Sequence, residues 1–356
     1  MRLHRPFPIA ALAGILGASL SALAIPAHAE PTQPAESIRP GEVWLDDRSK
    51  PIQAHGGGVI QLNGVFFWFG EDRSPENDPG KRYVAGYSSK DLVHWHFMCQ
   101  CLVLDNPDNL GPKVIVERPK VYFNKTTGKY VMYFHLDGPG TGGPYAYARV
   151  GVALSDNISG PFHYVHSFRP LGQESRDIGQ FIDDDGTPYL IFESRPTGGF
   201  YIASLTDDYL NVDKSVAFIR APLEGGAIVH VNGQYYVLGS HLTGWRPNAN
   251  VYASAPKLSG PWTAFKDIAP PETNTYASQS ANLIKITGSK TQSVIFVGDR
   301  WTPKTLSDSR YIWMPLVMAD GTMSLPEPQP WTIDVHTGET ALSTGTKGQG
   351  LSANGR

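Results

Sequence analysis

The stretch Glu224–Ser240, EGGAIVHVNGQYYVLGS, decides the fold because the chain repeats its pattern elsewhere. Upstream, His55–Glu71 reads HGGGVIQLNGVFFWFGE, with small residues after the first position and the same Asn-Gly between two apolar runs. An Asn-Gly pair between runs rich in Val, Tyr and Phe is the strongest short-range signal of a β-hairpin. Each stretch therefore predicts a hairpin that begins at a polar residue.

Three further stretches share this pattern, so the hairpin is predicted five times. The polar residues that open the copies, called the leaders below, are His55, Glu117, Asp177, Glu224 and Gln279. After most copies come a third strand and a second turn, and about fifty residues with four strands are typical of one β-propeller blade. The repeat predicts an all-β fold, a five-bladed β-propeller. Two β-sandwiches would not explain why every hairpin starts with a polar leader.

The two ends of the chain do not fit this repeat. Arg2 and Arg5 precede an apolar run, and Ala27-His28-Ala29 matches the cleavage pattern of a secretory signal. We favour a cleaved signal over a membrane anchor because no stop-transfer charges follow, so we expect a secreted or periplasmic protein. The predicted division is a signal peptide at 1–29, the propeller at 30–335 and a flexible tail at 336–356.

Composition excludes several classes of partner. The 356 residues carry a formal net charge of −3 and contain no Lys/Arg block, so no nucleic-acid footprint is present.

The two cysteines, Cys99 and Cys101, are separated by one residue, and we expect two thiols because so short a bridge is strained. Asp183–Asp185 is interpreted as a hairpin turn rather than a calcium loop. We expect a monomer without cofactor or metal, without nucleic-acid or membrane partners, acting on a neutral ligand.

The leaders form the candidate site. The innermost strand of each blade lines the channel of a propeller, so equivalent leaders should converge at one end of the axis. Buried carboxylates are costly, and paired carboxylates with separated pKa values are what glycosidic cleavage requires. Alternatively, Glu117 with Arg118 and Asp177 with Arg176 could form structural salt bridges. Adjacent residues face opposite sides of a strand, so the site interpretation is favoured.

Three motifs carry a resemblance to a known family. ERPKVYF at 117–123, SRDIGQFIDDDGTPYLIF at 175–192 and LEGGAIVHVNGQYYVLGS at 223–240 resemble family 43 of the glycoside hydrolases. The resemblance extends from about Ile52 to Trp331 and implies a five-bladed propeller that cleaves with inversion. It also implies that Glu224 is the general acid and that Asp177 tunes its pKa and orientation.

The first blade departs from that family. Its members usually lead this blade with an Asp that acts as general base, and this chain has His55 there. The sequence is similar to the exo-β-1,3-galactanase branch, which lacks that Asp. This resemblance implies that Gln279 holds the attacking water and that Glu117, Arg118 and Glu71 bind the sugar. Glu117 stays open as a rival base, because an ionised carboxylate accepts a proton better than an amide does.

Further candidates for substrate contact lie in loops or on the axis. They are His55, Tyr145, Thr243, Trp245 and Asn248. His55 could instead bind a carboxylate as a structural residue, or face water or a metal. Trp95, Trp262 and Trp301 occupy repeat-related positions and are interpreted as packing between blades.

The predicted function is therefore exo-acting hydrolysis of a β-1,3-galactan such as an arabinogalactan backbone. An inverting site should hold its acid and its water-activating group about 6.5–9.5 Å apart. A family 43 β-xylosidase or α-arabinofuranosidase is the alternative within the enzymes. A propeller that only binds carbohydrate is the alternative outside them.

Overall fold

Five β-sheets follow one another along the chain, one for each predicted hairpin. The computed structural model describes residues 36–139, 143–319 and 321–343. The predicted signal peptide at 1–29 lies outside the described residues, as does the part of the predicted tail from 344 to 356. The architecture is a five-bladed β-propeller, which confirms the fold class.

Each blade is an antiparallel sheet whose strands pair in chain order. Blade 1 contains β1 (His55–Leu62), β2 (Val65–Glu71), β3 (Arg82–Ser89) and β4 (His96–Leu104). Blade 2 contains β5 (Ile115–Asn124), β6 (Lys129–Asp137), β7 (Arg149–Ser155) and β8 (His163–Phe168). Blade 3 contains β9 (Ile178–Ile182), β10 (Pro188–Ser194), β11 (Gly199–Leu205) and β12 (Val212–Arg220). Blade 4 contains β13 (Leu223–Val231), β14 (Gln234–His241), β15 (Asn250–Ala255) and β16 (Lys266–Asp267), and blade 5 contains β17 (Gln279–Thr287), β18 (Gln292–Arg300) and β19 (Arg310–Pro315).

Little else in the described part of the chain is regular. Two small hairpins follow blade 5, β20 (Val317–Ala319) with β21 (Thr322–Ser324) and β22 (Trp331–Ile333) with β23 (Thr340–Leu342). Short 3₁₀ turns lie at Pro107–Asn109, Gly111–Lys113, Pro170–Gly172, Pro271–Thr273 and Leu306–Asp308, and one four-residue helical turn, α1, at Asn274–Ala277. No helix among the described residues is long and apolar enough to cross a membrane.

The first strands of the blades surround the channel. Each packs against the first strand of the next blade, and β17 contacts β1 to complete the ring. The segment before blade 1 reinforces this closure, because Ile38 exchanges backbone hydrogen bonds with Trp331, and the Gly41 N–H donates to the Tyr311 carbonyl. The leaders, which open these inner strands, therefore lie at one end of the channel.

Tryptophans pack blade 1 against blade 5. Trp68 lies 4.6 Å from Trp313 and 5.2 Å from Trp95 between ring centroids. Trp44 packs edge-on against Trp313, and the buried Trp331 donates its indole N–H to the Trp313 carbonyl. Large aromatic rings contribute most of the burial energy of such a contact. The predicted packing role of Trp95 is confirmed.

The expectation for the cysteines was wrong. Cys99 and Cys101 form a disulfide, with Cα atoms 4.9 Å apart. The register of β4 against β3 shifts between the partners of Val84 and Ala85, and the extra residue of this β-bulge is Cys101. A bulge bends the strand locally, which brings the two cysteines closer than the roughly 6.6 Å of a regular strand.

The predicted start of the flexible tail at 336 was too early. Residues 336–343 are described, and β23 pairs with β22 from Trp331↔Leu342 to Ile333↔Thr340. The turn of this hairpin also bonds to blade 5, since the N–H groups of Ser289 and Lys290 donate to the carbonyls of residues 336 and 337. A Gly/Ser/Thr-rich composition suggested disorder, but backbone pairing to an existing sheet orders this segment.

Candidate active site

The backbone bulges close after four of the five leaders, at the start of the inner strands. The register shifts after the leaders of blades 1, 2 and 4, and after Ser280 in blade 5. The next residue has a left-handed φ in three blades, at Gly56 (57°), Arg118 (53°) and Gly225 (65°). A Cβ at Gly225 would also lie 2.9 Å from the Ser280 carbonyl oxygen, so this position requires glycine.

A second set of polar residues lies opposite the leaders on the second strands of the blades. Glu71, His135, Ser240 and Asp299 are the register partners of the leaders in blades 1, 2, 4 and 5. In blade 3, the Glu193 N–H donates to the Asp177 carbonyl at 3.0 Å. All five side chains are buried, so two concentric polar sets meet at this end of the channel.

The two sets surround a cavity of about 260 Å³. Its lining combines charged side chains with the aromatic rings of Tyr145, Trp245 and Trp301. The lining residues are Glu71, Glu117, Arg118, His135, Tyr145, Arg176, Asp177, Arg195, Glu224, Gly244, Trp245, Gln279 and Trp301. The cavity thus brings together four of the five leaders and excludes His55.

Glu224 has the properties of a general acid. Its side chain is 8% exposed. Burial, together with the negative charges of Asp177 and Glu193, raises its pKa to about 8. A carboxyl with such a pKa carries its proton at neutral pH and can deliver it to a leaving group.

Asp177 is held beside Glu224 as an ion pair with Arg118. Its Oδ2 lies 2.8 Å from the Arg118 Nε and accepts the Gly225 N–H at 3.0 Å. Arg118 is buried, and the carboxylates of Asp177 and Glu224 raise its pKa against the cost of burial, so it stays cationic. The negative charge of Asp177 supports the protonated form of Glu224.

Gln279 connects the acid to the rest of the site. Its Nε2 donates to Glu224 Oε1 at 3.1 Å and to Ser240 Oγ at 3.0 Å. Its Oε1 accepts from Arg118 Nη2 at 2.7 Å and from Trp301 Nε1 at 3.0 Å. Because arginine and tryptophan only donate, the orientation of the amide is fixed by its neighbours. The expected separation of 6.5–9.5 Å is absent between Gln279 and Glu224 in this arrangement.

A strained turn precedes Gln279. The four residues of α1, Asn274–Ala277, all have φ between 50° and 56°, a left-handed conformation that costs about 1–2 kcal/mol per residue. Thr275 accepts the Asn250 N–H at 2.7 Å, and Arg300 donates to the Tyr276 carbonyl at 2.8 Å. Strain held by surrounding contacts is typical of functional sites, and here it sets the start of β17.

Glu117 is locked by a buried histidine. His135 lies between two carboxylates, with Nδ1 3.2 Å from Glu117 Oε2 and Nε2 3.1 Å from Asp137 Oδ2. Burial opposes the charge, but these two carboxylates raise the pKa of His135 to about 9. Burial likewise opposes the charge of Glu117, but the hydrogen bond and charge of His135 lower its pKa to about 2. Glu117 is therefore a weak proton acceptor.

We expect His135→Leu to destabilise the protein by about 3–5 kcal/mol at pH 6, because two buried carboxylates lose their cation. The folded pKa of His135 lies above its unfolded value. Its stabilisation is therefore complete below about pH 6.5 and is lost as pH rises through about 9. Urea unfolding at pH 6 and 9.5 measures the difference between wild type and variant, which should narrow at the higher pH. His94→Leu, at an exposed histidine paired with Asp91, is the control and should change stability by no more than about 0.5 kcal/mol. An equal cost at both pH values would contradict the buried imidazolium.

Other predicted substrate contacts reach the cavity in different ways. Glu71 accepts the Arg118 N–H at 3.0 Å and pairs with Arg73, which leaves it fixed at the cavity wall. Burial, with the nearby charge of Glu117, raises the pKa of Glu71 against the effect of Arg73. Tyr145 donates to Glu117 Oε1 at 3.1 Å.

The loop after β14 contributes one side chain to the cavity. Trp245 is 43% exposed and packs edge-on against Trp301 at 5.4 Å, which presents an indole at the cavity mouth. Thr243 and Asn248 are absent from the cavity wall. They hold the loop instead, since Asn248 donates to Thr243 Oγ1 at 2.7 Å and to the His241 carbonyl at 2.8 Å. Thr243 and Asn248 therefore support the loop that carries Trp245, and their contact with sugar stays a prediction.

His55 does not face the cavity, contrary to the expected substrate contact. Its side chain is fully buried, stacks on Tyr311 at 5.1 Å and lies 3.4 Å from Asp299. Its Nε2 lies 3.2 Å from Gln53 Oε1. The left-handed Gly56 that follows allows this inward orientation, so His55 is a structural residue bound to a carboxylate.

Several residues of the site were missed from the sequence. The sequence did not single out His135, Arg195 and Glu193. These residues lie on or after the second strands of their blades, away from the leader positions. Trp301 was interpreted as inter-blade packing, and it also donates to Gln279 and lines the cavity. A signal was available, because an acidic or polar residue ends the second apolar run of every copy, as in FGE at 69–71 and VGD at 297–299.

One group of residues in the cavity has a spacing that a metal could bridge. Ligand atoms of Glu117, His135 and Asp177 all lie within 4.8 Å of one another. His135 is already bound on both nitrogens by carboxylates, and Asp177 is paired with Arg118. The three side chains are therefore engaged in ion pairs, Glu117 with His135 and Asp177 with Arg118.

Comparison with known proteins assigns the family. The sequence profile "Glycosyl hydrolases family 43" matches residues 66–296. The chain belongs to this family. The chain is therefore a glycoside hydrolase, and the matched segment contains Glu117, Asp177, Glu224 and Gln279.

Solved structures of the same family are similar over most of the chain. An exo-β-1,3-galactanase from Phanerochaete chrysosporium, crystallised with β-1,3-galactotriose, is 39% identical with a TM-score of 0.80, over 88% of this chain and 72% of that chain. An exo-β-1,3-galactanase from Clostridium thermocellum is 32% identical with a TM-score of 0.76, over 87% of this chain and 69% of that chain.

A curated relative matches over a shorter segment. The extracellular endo-α-(1→5)-L-arabinanase 2 of Bacillus subtilis (strain 168) is 28% identical over 153 residues. The match spans 39% of this chain and 28% of the arabinanase.

Proposed function

We propose that the protein is an exo-acting β-1,3-galactosidase that removes galactose from β-1,3-galactans with inversion of the anomeric centre. The observation that carries the proposal is the buried Glu224, with its raised pKa, beside the Asp177–Arg118 ion pair in the cavity. The similarity to two exo-β-1,3-galactanases supports the choice of sugar and linkage.

The roles of the residues follow from their environments. Glu224 protonates the glycosidic oxygen, and Asp177 orients it and maintains its raised pKa. Glu71, Glu117, Arg118 and Tyr145 offer fixed hydrogen-bonding groups to the hydroxyls of the terminal sugar, and Trp245 offers a ring face for stacking. The leader of the first blade, His55, is not a carboxylate and does not line the cavity. A residue of another blade must therefore activate the water.

Gln279 is proposed to position the attacking water. The low pKa of Glu117 argues against it as the base, because a carboxylate that binds a proton so weakly drives little proton transfer at neutral pH. The contact between Gln279 Nε2 and Glu224 must open for this role, because 3.1 Å leaves no space for a sugar between them.

Azide rescue distinguishes the two candidates for water activation. We expect Gln279→Ala to lower kcat by about 10²-fold or more, since the water loses its anchor. Azide should then restore turnover and give an α-galactosyl azide, because the anion needs no activation. Glu117→Gln should raise KM and should not respond to azide. Rescue of the Glu117 variant alone would assign the water to Glu117.

One assay tests the activity itself. The chain from Glu30 is incubated with β-1,3-, β-1,4- and β-1,6-linked galacto-oligosaccharides, and the released sugar is followed by NMR. The expected result is α-galactose from the β-1,3-linked substrate only. Release of β-galactose would contradict inversion. Release of xylose or arabinose from aryl glycosides without galactose release would indicate a β-xylosidase or α-arabinofuranosidase.

The proposal also includes export of the protein and its action as a monomer. The extracellular arabinanase relative and the predicted signal at 1–29 support export. A mature N-terminus near Glu30 in the exported protein, found by mass spectrometry, is the expected outcome. Retention of residues 1–29 in that protein would contradict cleavage.

A further inference from the structure

Both carboxyl oxygens of Glu224 face hydrogen-bond donors. Oε1 accepts from Gln279 Nε2 at 3.1 Å, and Oε2 lies 3.3 Å from Arg195 Nη2. A general acid must instead donate its own O–H to the leaving-group oxygen from one of these positions. The proposed role of Gln279 opens the contact at Oε1, so Arg195 is the donor that would still lie against the acid when the sugar enters.

Arg195 is the partner that can leave without disturbing the site. It opens the turn between β10 and β11, and its side chain is 46% exposed, so it can change rotamer rapidly. The backbone of the Arg195 turn is itself fixed, because the Gly198 N–H donates to the carbonyls of residues 194 and 195.

Arg195 also keeps an anchor when it leaves Glu224. Its Nε donates to Glu193 Oε1 at 2.7 Å. Glu193 is 2% exposed, and its Oε2 has no hydrogen-bond partner among the described residues. The second oxygen of Glu193 can therefore receive the Nη2 group that now contacts Glu224, which would give a bidentate pair.

A movement of Arg195 changes the balance of charge around Glu224. Asp177 and Glu193 supply negative charge, and Arg118 and Arg195 supply positive charge. The remaining polar neighbours, Gln279 and Ser240, are uncharged. Arg118 is buried and bound to Asp177, so Arg195 is the cation of the two whose distance from Glu224 can change.

We propose that Arg195 is a positioning residue that is displaced by the substrate. In the free enzyme it lies against Glu224 Oε2, and the sugar on the leaving-group side moves it onto Glu193. The approach of the glycosidic oxygen then coincides with the loss of a positive charge beside Glu224, which favours the protonated form of the acid. This inference rests on the proposed function, because it requires a sugar on the leaving-group side of Glu224.

The pH dependence of the two kinetic constants tests the displacement. The profile of kcat/KM reports the free enzyme, and that of kcat reports the enzyme–substrate complex. With β-1,3-galactobiose, the alkaline limb of the wild type should lie at higher pH for kcat than for kcat/KM. In Arg195→Gln, the alkaline limb of kcat/KM should move up by roughly half a pH unit and meet the limb of kcat. The expected shift is small because solvent screens a half-exposed ion pair. Arg195→Lys should restore the separation.

A neighbouring arginine provides the matched control. Arg220 is exposed, and its Nη1 lies 3.4 Å from the Thr197 carbonyl of the same turn, but it does not contact Glu224. Arg220→Gln should keep both wild-type limbs. The displacement of Arg195 would be overturned, with the proposed function left standing, by either of two results. In the first, the alkaline limbs of kcat and kcat/KM coincide in an active wild type. In the second, the two limbs stay separated in Arg195→Gln. A wild type that releases no galactose would overturn the proposed function and this inference with it.

Discussion

Glu224→Gln should lower kcat by at least about 10²–10⁴-fold while the binding of β-1,3-galacto-oligosaccharides is retained. The amide keeps the size of the side chain and can still accept hydrogen bonds at Oε1, but it has no proton to give to the glycosidic oxygen. Steady-state kinetics measure the loss, and isothermal titration calorimetry with β-1,3-galactotriose measures binding. The pKa of about 8 predicts, in addition, that wild-type activity declines as pH rises through about 8, where Glu224 loses its proton.

Two comparisons make this result decisive. Glu272→Gln, at an exposed glutamate in a 3₁₀ turn, should leave kcat unchanged. A propeller that only binds carbohydrate predicts no turnover in the wild type and a binding function that is intact in Glu224→Gln. An unchanged kcat in the Glu224 variant would contradict the assignment of Glu224 as the general acid.

The fold could be predicted from the sequence because its signals are local. Each hairpin contains its own turn, as at Asn63-Gly64 and Asn232-Gly233, and β-strands joined by such turns pair without long-range information. The leaders occupy the same place in each copy, so their convergence follows from the repeat. Glu117, Asp177, Glu224 and Gln279 were found in this way and do line one cavity.

The partners of the leaders could not be predicted as easily. Whether His135 faces Glu117 depends on the register of two strands, and a shift by one residue would turn its side chain to the other face. Trp301 follows the last residue of β18, where repeat position alone does not distinguish packing from an indole N–H aimed at Gln279. The direction of a side chain at a bulge depends on backbone angles, so the sequence left both a structural role beside a carboxylate and a substrate contact open for His55, and the structure supports the first.

The two polar sets explain why neighbouring carboxylates in one cavity differ in protonation. Glu117 receives a buried imidazolium from the second strand of its own blade, which lowers its pKa. Burial and the negative charge of Asp177 raise the pKa of Glu224, and the charge of Glu193 on a second strand adds to them. The register partner of Glu224 is a serine, so no cation from its own second strand opposes this effect as His135 does at Glu117.

Asp177→Asn should reduce kcat by about 10²-fold or more and move the alkaline limb of kcat/KM to lower pH. The negative charge of Asp177 is one of the causes of the raised pKa of Glu224, and its removal lowers that pKa, so the acid loses its proton earlier as pH rises. The amide oxygen of the variant can still accept from Arg118, but Glu224 then lies between two cations with less opposing charge.

The matched control for this change is Asp185→Asn, at an exposed aspartate in the turn of the same blade, which should keep the wild-type limb. Thermal unfolding is measured alongside, because a buried Arg118 with a weakened partner also costs stability. A structural effect alone would lower kcat at every pH by the same factor. An alkaline limb of kcat/KM that moves to lower pH in Asp177→Asn and to higher pH in Arg195→Gln would instead show that Asp177 acts on the proton of Glu224. Asp177 and Arg195 carry charges of opposite sign, so removing each charge must shift the titration of Glu224 in opposite directions.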